Sequence, residues 1–155
     1  MALENESIEA IDPDEQETLM ARGVIDAEIE QVWATVSDYA GLMRWHPQLS
    51  TCETVGEGVG AIRTAQFSDR WAAERLDILD AAQHTLLYVV TESDEDEIVG
   101  LACQISLRPD GDQTILTWNA RATSPERTSA IRARLQAYYA TRIQHLRDAL
   151  KATAR

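Results

Sequence analysis

Hydrophobic and polar residues alternate in six short runs that follow one another between residues 49 and 122. Short polar or glycine-containing segments such as DEDE and RPDGD separate the runs. Strands joined by such short connections pair in an antiparallel meander. The six runs are LSTCETVG, AIRTAQF, AAERLDIL, HTLLYVV, IVGLACQISL and QTILTWNARA.

The segment before this meander predicts one strand and two short helices. QETLMARGVID, from Gln16 to Asp26, alternates in part and predicts an opening strand. In the following AEIEQVWATVSDYAGLMRW, apolar residues recur at helical spacing. Gly41 interrupts this pattern, and a second short helical turn ends at His46 and Pro47.

The last part of the chain predicts one long amphipathic helix. It opens with Ser-Pro-Glu, which is typical of a helix start. Its apolar positions recur with a period of 3.6 residues over roughly seven turns, and the period leaves open whether Arg142 or Ile143 belongs to the buried face. That face contains Ile131, Leu135, Tyr138, Arg142 or Ile143, Leu146 and Leu150.

This order of elements predicts an α+β fold, in which a curved antiparallel seven-stranded sheet wraps around the long C-terminal helix. Where a curved sheet and a straight helix diverge, they enclose a pocket, for which we expect a volume on the order of several hundred Å³. The chain has 155 residues, enough for one domain. We expect a flexible acidic tail over residues 1–14 and a single ligand-binding domain over 15–155.

Composition narrows the possible partners. The formal net charge of −12 disfavours nucleic acid, because phosphates would be repelled. No signal peptide or membrane-spanning run is evident, so we expect a cytoplasmic monomer or homodimer without a membrane partner. Cys52 and Cys103 are far apart, and the histidines are scattered, so no disulfide and no metal site are predicted. The sequence also has no phosphate loop and no nucleophile elbow, and we expect no cofactor.

Arg63 and Glu74 each place a charge in a predicted strand. If the two strands form a hairpin around Ser68 and Asp69, Arg63 lies opposite Glu74; a turn centred on Asp69 and Arg70 makes them diagonal neighbours. Either register puts both on one face of the sheet. One interpretation is a structural ion pair at the rim of the sheet. The other is a catalytic pair, because a carboxylate in an apolar cavity can move a proton while a guanidinium holds an oxyanion.

Further candidates surround this pair. His46 could titrate or donate to a ligand; the competing interpretation is a histidine at a helix end whose ring is satisfied by the backbone. Trp45 could form a wall of the pocket. Strand alternation and helix spacing direct other side chains toward the same space, where ordinary core packing is the competing interpretation of each one. The expected ligand-contacting residues are Trp45, Phe67, Tyr88, Leu101, Cys103, Trp118, Tyr138 and Arg142, beside the catalytic candidates Glu74, Arg63 and His46.

Several segments resemble a known superfamily. VWATVSDYAGLMRWHPQLSTCETVG, VGAIRT and ERLDILD resemble the helix-grip superfamily of START domains, the birch pollen allergen and bacterial polyketide cyclase/dehydrase-like proteins, over residues 16–150. Residues 59–84 are similar to plant abscisic acid receptors and to onion lachrymatory factor synthase. In that enzyme the positions matching Arg63 and Glu74 carry the chemistry, so the resemblance implies an active pair. The segments FSDRW and SDEDEI depart from the receptors' gate and latch, which disfavours a hormone receptor.

Two functions are compatible with these features. The first is a small enzyme without a cofactor that binds a hydrophobic or polyketide-like molecule and acts as a cyclase, dehydratase or isomerase. In it Glu74 moves the proton, Arg63 holds the oxyanion, and His46 with Tyr88 orients polar groups of the substrate. The alternative is a carrier or sensor that binds a hydrophobic ligand without turning it over.

Overall fold

The structure is a computed structural model that describes residues 10–11 and 18–153. It confirms the predicted order of one strand, two short helices, six strands and a long helix. The second short helix is a 3-10 helix, Tyr39–Arg44, and a further short 3-10 helix, Asp96–Ile98, lies between the fifth and sixth strands. The other elements are β1 (Leu19–Ile25), α1 (Ile29–Val36), β2 (Thr51–Val55), β3 (Ile62–Gln66), β4 (Trp71–Asp80), β5 (Thr85–Ser93), β6 (Ala102–Asp110), β7 (Gln113–Arg121) and α2 (Pro125–Thr153).

All seven strands form one antiparallel sheet in the order β1-β7-β6-β5-β4-β3-β2. Consecutive strands from β2 to β7 are neighbours, as short connections require. Two register shifts in β4, between Ala73 and Glu74 and between Leu76 and Ile78, add bulges that increase local twist. The result is the curved α+β helix-grip layout expected from the sequence.

Helix α2 begins where its sequence predicts. The hydroxyl of Ser124 accepts a hydrogen bond from the backbone N–H of Arg127 over 3.2 Å, which caps the first turn. Pro125 occupies the first helical position, where its missing N–H costs nothing. Against β1, Gly23 allows close approach, since a Cβ atom there would lie 2.8 Å from a methyl group of Ile143. This face of α2 therefore lies directly on the sheet.

One hydrophobic core joins the sheet, α2 and the two short helices that follow β1. These two helices, α1 and the 3-10 helix Tyr39–Arg44, form the elbow. Of the predicted acidic tail, only Ala10 and Ile11 belong to the described residues. The side chain of Gln104 accepts a hydrogen bond from the Ile11 N–H at 2.8 Å and donates one to its C=O at 2.7 Å, and Ile11 is buried. None of the described helices combines the length and the apolarity needed to cross a bilayer.

Candidate functional site

A cavity opens between the sheet and α2, on the side of the 3-10 helix of the elbow. Its volume is about 70 Å³. The expected several hundred Å³ was too large, because the aromatic side chains Phe67, Tyr88, Trp118, Tyr138 and Tyr139 fill much of the space between sheet and helix.

Arg63 and Glu74 face each other across β3 and β4. They are direct partners in the register, and the Phe67 N–H donates to the Arg70 C=O over 2.8 Å, which closes a hairpin around Ser68 and Asp69. The Nε atom of Arg63 lies 2.8 Å from Oε1 of Glu74. The Arg63 side chain is 6% exposed and that of Glu74 15%. The first of the two registers considered for this hairpin is therefore correct.

Aromatic rings enclose the guanidinium of Arg63. Its carbon lies 3.9 Å from the ring centre of Tyr39 and 4.9 Å from that of Tyr88. Its Nη1 donates to the Tyr39 C=O over 3.3 Å, and the Tyr39 hydroxyl donates to the Glu74 C=O over 2.9 Å. No described residue forms a hydrogen bond with Arg63 Nη2 or Glu74 Oε2. One face of the pair thus keeps both a donor and an acceptor available at the cavity.

A second polar group lies where the elbow meets α2. Arg142 Nη1 lies 3.0 Å from His46 Nε2, and Arg142 Nη2 donates to Gln48 over 2.8 Å. The Tyr138 hydroxyl is 3.1 Å from the same His46 nitrogen. A guanidinium can only donate, so Nε2 accepts and the proton of neutral His46 lies on Nδ1.

Burial and positive neighbours keep His46 uncharged. Burial first, and then the charge of Arg142, lower the pKa of His46 from 6.5 to about 3. At neutral pH the ring is therefore an acceptor that orients Arg142 and Tyr138, and it does not carry a second proton for donation to a ligand. This corrects the expectation that His46 could titrate near neutral pH.

Burial also keeps three hydroxyl and thiol groups of the cavity uncharged near neutral pH. Burial raises the pKa of the Tyr138 hydroxyl to about 12 and that of the Cys103 thiol to about 12. Burial likewise raises the pKa of Tyr88 well above its usual value. These groups can therefore donate hydrogen bonds near pH 7 but do not act as anionic nucleophiles. Both cysteines are free thiols.

The sequence from residue 18 to residue 151 matches the family described as "Polyketide cyclase / dehydrase and lipid transport". The chain belongs to this family. A comparison with curated protein sequences found no match.

Solved structures share the fold of this polyketide cyclase/dehydrase family member. XoxI from Bacillus cereus has a TM-score of 0.73 at 15% identity, covering 89% of this chain and 98% of that chain. A protein from Thermobifida fusca has a TM-score of 0.62 at 26% identity, covering 75% and 80%. Truncated norcoclaurine synthase from Thalictrum flavum has a TM-score of 0.69 at 15% identity, covering 86% and 92%. Together with the family match, these structures confirm the placement in the helix-grip superfamily.

The structure brings nearly all the candidate residues of this family member to one cavity. Trp45 is the exception: it is buried and packs on Trp118 with ring centres 6.2 Å apart, so it supports the cavity wall from behind. The candidates that line the cavity are Glu74, Arg63, His46, Phe67, Tyr88, Leu101, Cys103, Trp118, Tyr138 and Arg142. Their assignment as catalytic or ligand-contacting residues remains a prediction.

Sequence reasoning missed several contributors to the site, among them Tyr39, Tyr139 and Gln48. The Tyr39 ring packs on the Arg63 guanidinium and its hydroxyl donates to the Glu74 C=O, although its place in the elbow predicts only core packing. Tyr139 stacks on Trp118 with ring centres 4.6 Å apart and touches Cys103, whereas the helical period favoured Tyr138. Gln48 lies just after Pro47, where no periodic pattern applies. The helix contributes both tyrosines because its buried face is wider than one stripe.

Ion pairs border the cavity between the β3–β4 turn, the β5–β6 connection and α2. Glu95 pairs with Arg70 at 3.5 Å and with Arg134 at 2.9 Å, and Arg134 also contacts Glu97. Arg70 in turn lies 4.6 Å from the ring centre of Phe67. These partly exposed pairs tie three separate segments together at the cavity rim. Within the described residues, no cluster of three or more His, Cys, Asp or Glu side chains could hold a metal ion.

Proposed function

We propose that this protein is a small enzyme that binds a hydrophobic molecule in the cavity and moves a proton with Glu74, without a cofactor. The main support is the Arg63–Glu74 pair, because both side chains line an apolar cavity. Among the described residues, neither Oε2 of Glu74 nor Nη2 of Arg63 has a hydrogen-bond partner. A carboxylate base beside a guanidinium donor can remove a proton from the carbon next to a carbonyl group, while the guanidinium stabilises the resulting enolate oxygen.

In this reaction Glu74 Oε2 takes the proton from carbon and returns it to another atom of the substrate. Arg63 stays protonated: burial acts to lower its pKa, but the charge of Glu74 and the hydrogen bond between the two side chains raise that pKa above its usual value. Tyr39 holds the main chain of Glu74, and the Tyr88 ring packs against the Arg63 guanidinium. His46 acts as a positioning residue through Arg142 and Tyr138. Cyclisation, dehydration and isomerisation all contain such a proton transfer.

The alternative is a carrier or sensor that binds the same ligands without chemistry. The close contact of 2.8 Å between Glu74 and Arg63 favours it, because one oxygen of the carboxylate is already engaged by the guanidinium. The family description, which includes lipid transport, is compatible with both functions.

Deuterium uptake separates the two functions without knowledge of the natural substrate. The full chain is incubated in D₂O with levulinate or with methyl butyl ketone, and exchange next to the carbonyl group is followed by NMR. If the protein is an enzyme, deuterium exchange of the probe should be faster in its presence than in buffer alone. A probe that binds in the cavity and exchanges only at the buffer rate would favour the carrier or sensor.

A further inference from the structure

Arg142 is a buried cation whose hydrogen-bond partners are all neutral. The residue is 2% exposed, and its guanidinium donates to His46 and Gln48. His46 is uncharged at neutral pH, as its lowered pKa requires. Over residues 10–11 and 18–153, no Asp or Glu forms an ion pair with Arg142. Removing one charge from water without a countercharge is costly, so a fold that keeps it has a use for it.

The charges of the cavity lining leave Arg142 as the surplus. Glu74 is matched by Arg63, and Glu95 is shared by two arginines at the rim. The lining contains four arginines and two glutamates, and Glu97 beside it also pairs with Arg134. Three of the arginines therefore have a carboxylate partner, and Arg142 has none among the described residues. The whole chain carries a formal charge of −12. A local excess of cations inside a strongly acidic protein points to an anionic ligand at this place.

Buried N–H groups without hydrogen-bond partners also indicate a ligand that carries acceptor atoms. In the part of the chain that the structure describes, two cavity-lining side chains have a buried polar atom without a hydrogen bond, Arg142 at Nε and Trp118 at Nε1. Both atoms are N–H donors. Buried donors without partners are rare in folded proteins, and a ligand that brings acceptors would satisfy them.

We propose that the cavity binds a small monocarboxylate, with its carboxylate on Arg142 and its apolar part against Leu101 and Trp118. The planar guanidinium fork matches the two oxygens of a carboxylate. One surplus cation in a mostly apolar lining favours a single negative charge over the double charge of a phosphate monoester. The volume of about 70 Å³ favours a short molecule. The inference rests on the proposed function only in taking this cavity as the ligand site.

Matched acids and amides test the charge. Butanoate, hexanoate and benzoate are titrated into the full chain by calorimetry, beside butanamide, hexanamide and benzamide, which have nearly the same shape without the charge. We expect each acid to bind about tenfold or more tightly than its amide. Equal affinity of acids and amides, or no binding by any acid, would overturn the proposal. Tighter binding of butyl phosphate than of butanoate would overturn the choice of carboxylate.

The Arg142→Gln variant tests the position. It should abolish the preference for acid over amide, and Arg142→Lys should restore only part of it because an ammonium lacks the fork. Arg147→Gln is the matched control on the same helix, where Arg147 is bonded to the Val24 C=O outside the cavity. A preference that survives in Arg142→Gln would place the anion elsewhere. The acid–amide comparison on the unaltered protein holds even if this variant does not fold.

Failure of this proposal is distinguishable from failure of the proposed function. Exchange that depends on Glu74 with neutral ketones, combined with no preference for acids, would refute the carboxylate and keep the enzyme. Acid binding that depends on Arg142, without exchange of any bound probe, would keep the carboxylate and favour a carrier or sensor.

Discussion

The guanidinium of Arg142 donates a hydrogen bond to His46 Nε2 over 3.0 Å, and these two residues are only 2% and 4% exposed. An imidazolium in this place would bring two positive charges into contact. The histidine is therefore neutral when the protein is folded, and its neutrality couples the stability of the fold to pH.

This coupling predicts a loss of stability in mild acid. The folded pKa of His46 is about 3, below its ordinary value of 6.5, so only the unfolded chain gains this proton between these values. The free energy of unfolding contributed by His46 is thus fully present above 6.5 and falls as the pH falls toward 3. Between pH 7 and pH 5 the loss from this group is about 2 kcal/mol.

The His46→Gln variant should lack this component. We expect its free energy of unfolding to fall by about 2 kcal/mol less than that of the parent over the same pH range. Urea unfolding of both proteins at the two pH values measures the difference, from which the other titrating groups cancel. Parallel pH dependence of the two proteins would show that His46 is not held neutral by the fold.

The cavity itself can be filled from β3. Ala65 lines the cavity and is buried, so Ala65→Leu should occupy its space and weaken binding of hexanoate or methyl butyl ketone about tenfold or more. Ala65→Val should have an intermediate effect. Substitutions that fill an existing cavity commonly keep or raise stability, so the melting temperature should not fall by more than a few degrees. Unchanged affinity in the Leu variant, measured by calorimetry, would place ligand binding outside the cavity.

The sequence predicts which strands form the site better than it predicts the bulges that shift their register. The alternation in AIRTAQF and AAERLDIL puts Arg63 and Glu74 on one face in either of the two registers considered, and in the structure they are direct partners. Alternation also predicts that Ile78 shares the face of Glu74. A register shift after Leu76 instead sets Ile78 opposite Leu87, on the other face. Bulges depend on sheet curvature and leave no clear mark in the residue pattern.

Side-chain packing between elements was the second feature that the sequence pattern could not predict. The helical period could not choose between Arg142 and Ile143. Both are buried, because Ile143 packs on β1 at Gly23 while Arg142 is bonded to His46 and Gln48. Trp45 and Trp118 were both expected in the cavity wall; Trp118 lines it, whereas Trp45 packs behind Trp118. The cavity volume depends on side-chain rotamers such as the Tyr139 ring stacked on Trp118, which sequence spacing does not fix.

The central claim is that Glu74 moves a proton, and Glu74→Gln tests it most directly. The amide keeps the shape of the side chain but is not a base, so deuterium exchange of a bound probe should fall by about two to four orders of magnitude. Affinity for the probe should stay nearly unchanged. Asp77→Asn is the matched control on β4, where Asp77 pairs with Arg75 at 2.6 Å and does not line the cavity.

The decisive measurement is therefore the exchange rate and the dissociation constant of one probe on the parent, Glu74→Gln and Asp77→Asn proteins. The account predicts a rate loss confined to Glu74→Gln, with the three dissociation constants within a few-fold of one another. Undiminished exchange in Glu74→Gln would contradict the account, and a loss of affinity in step with the rate would reduce the Arg63–Glu74 pair to a binding contact.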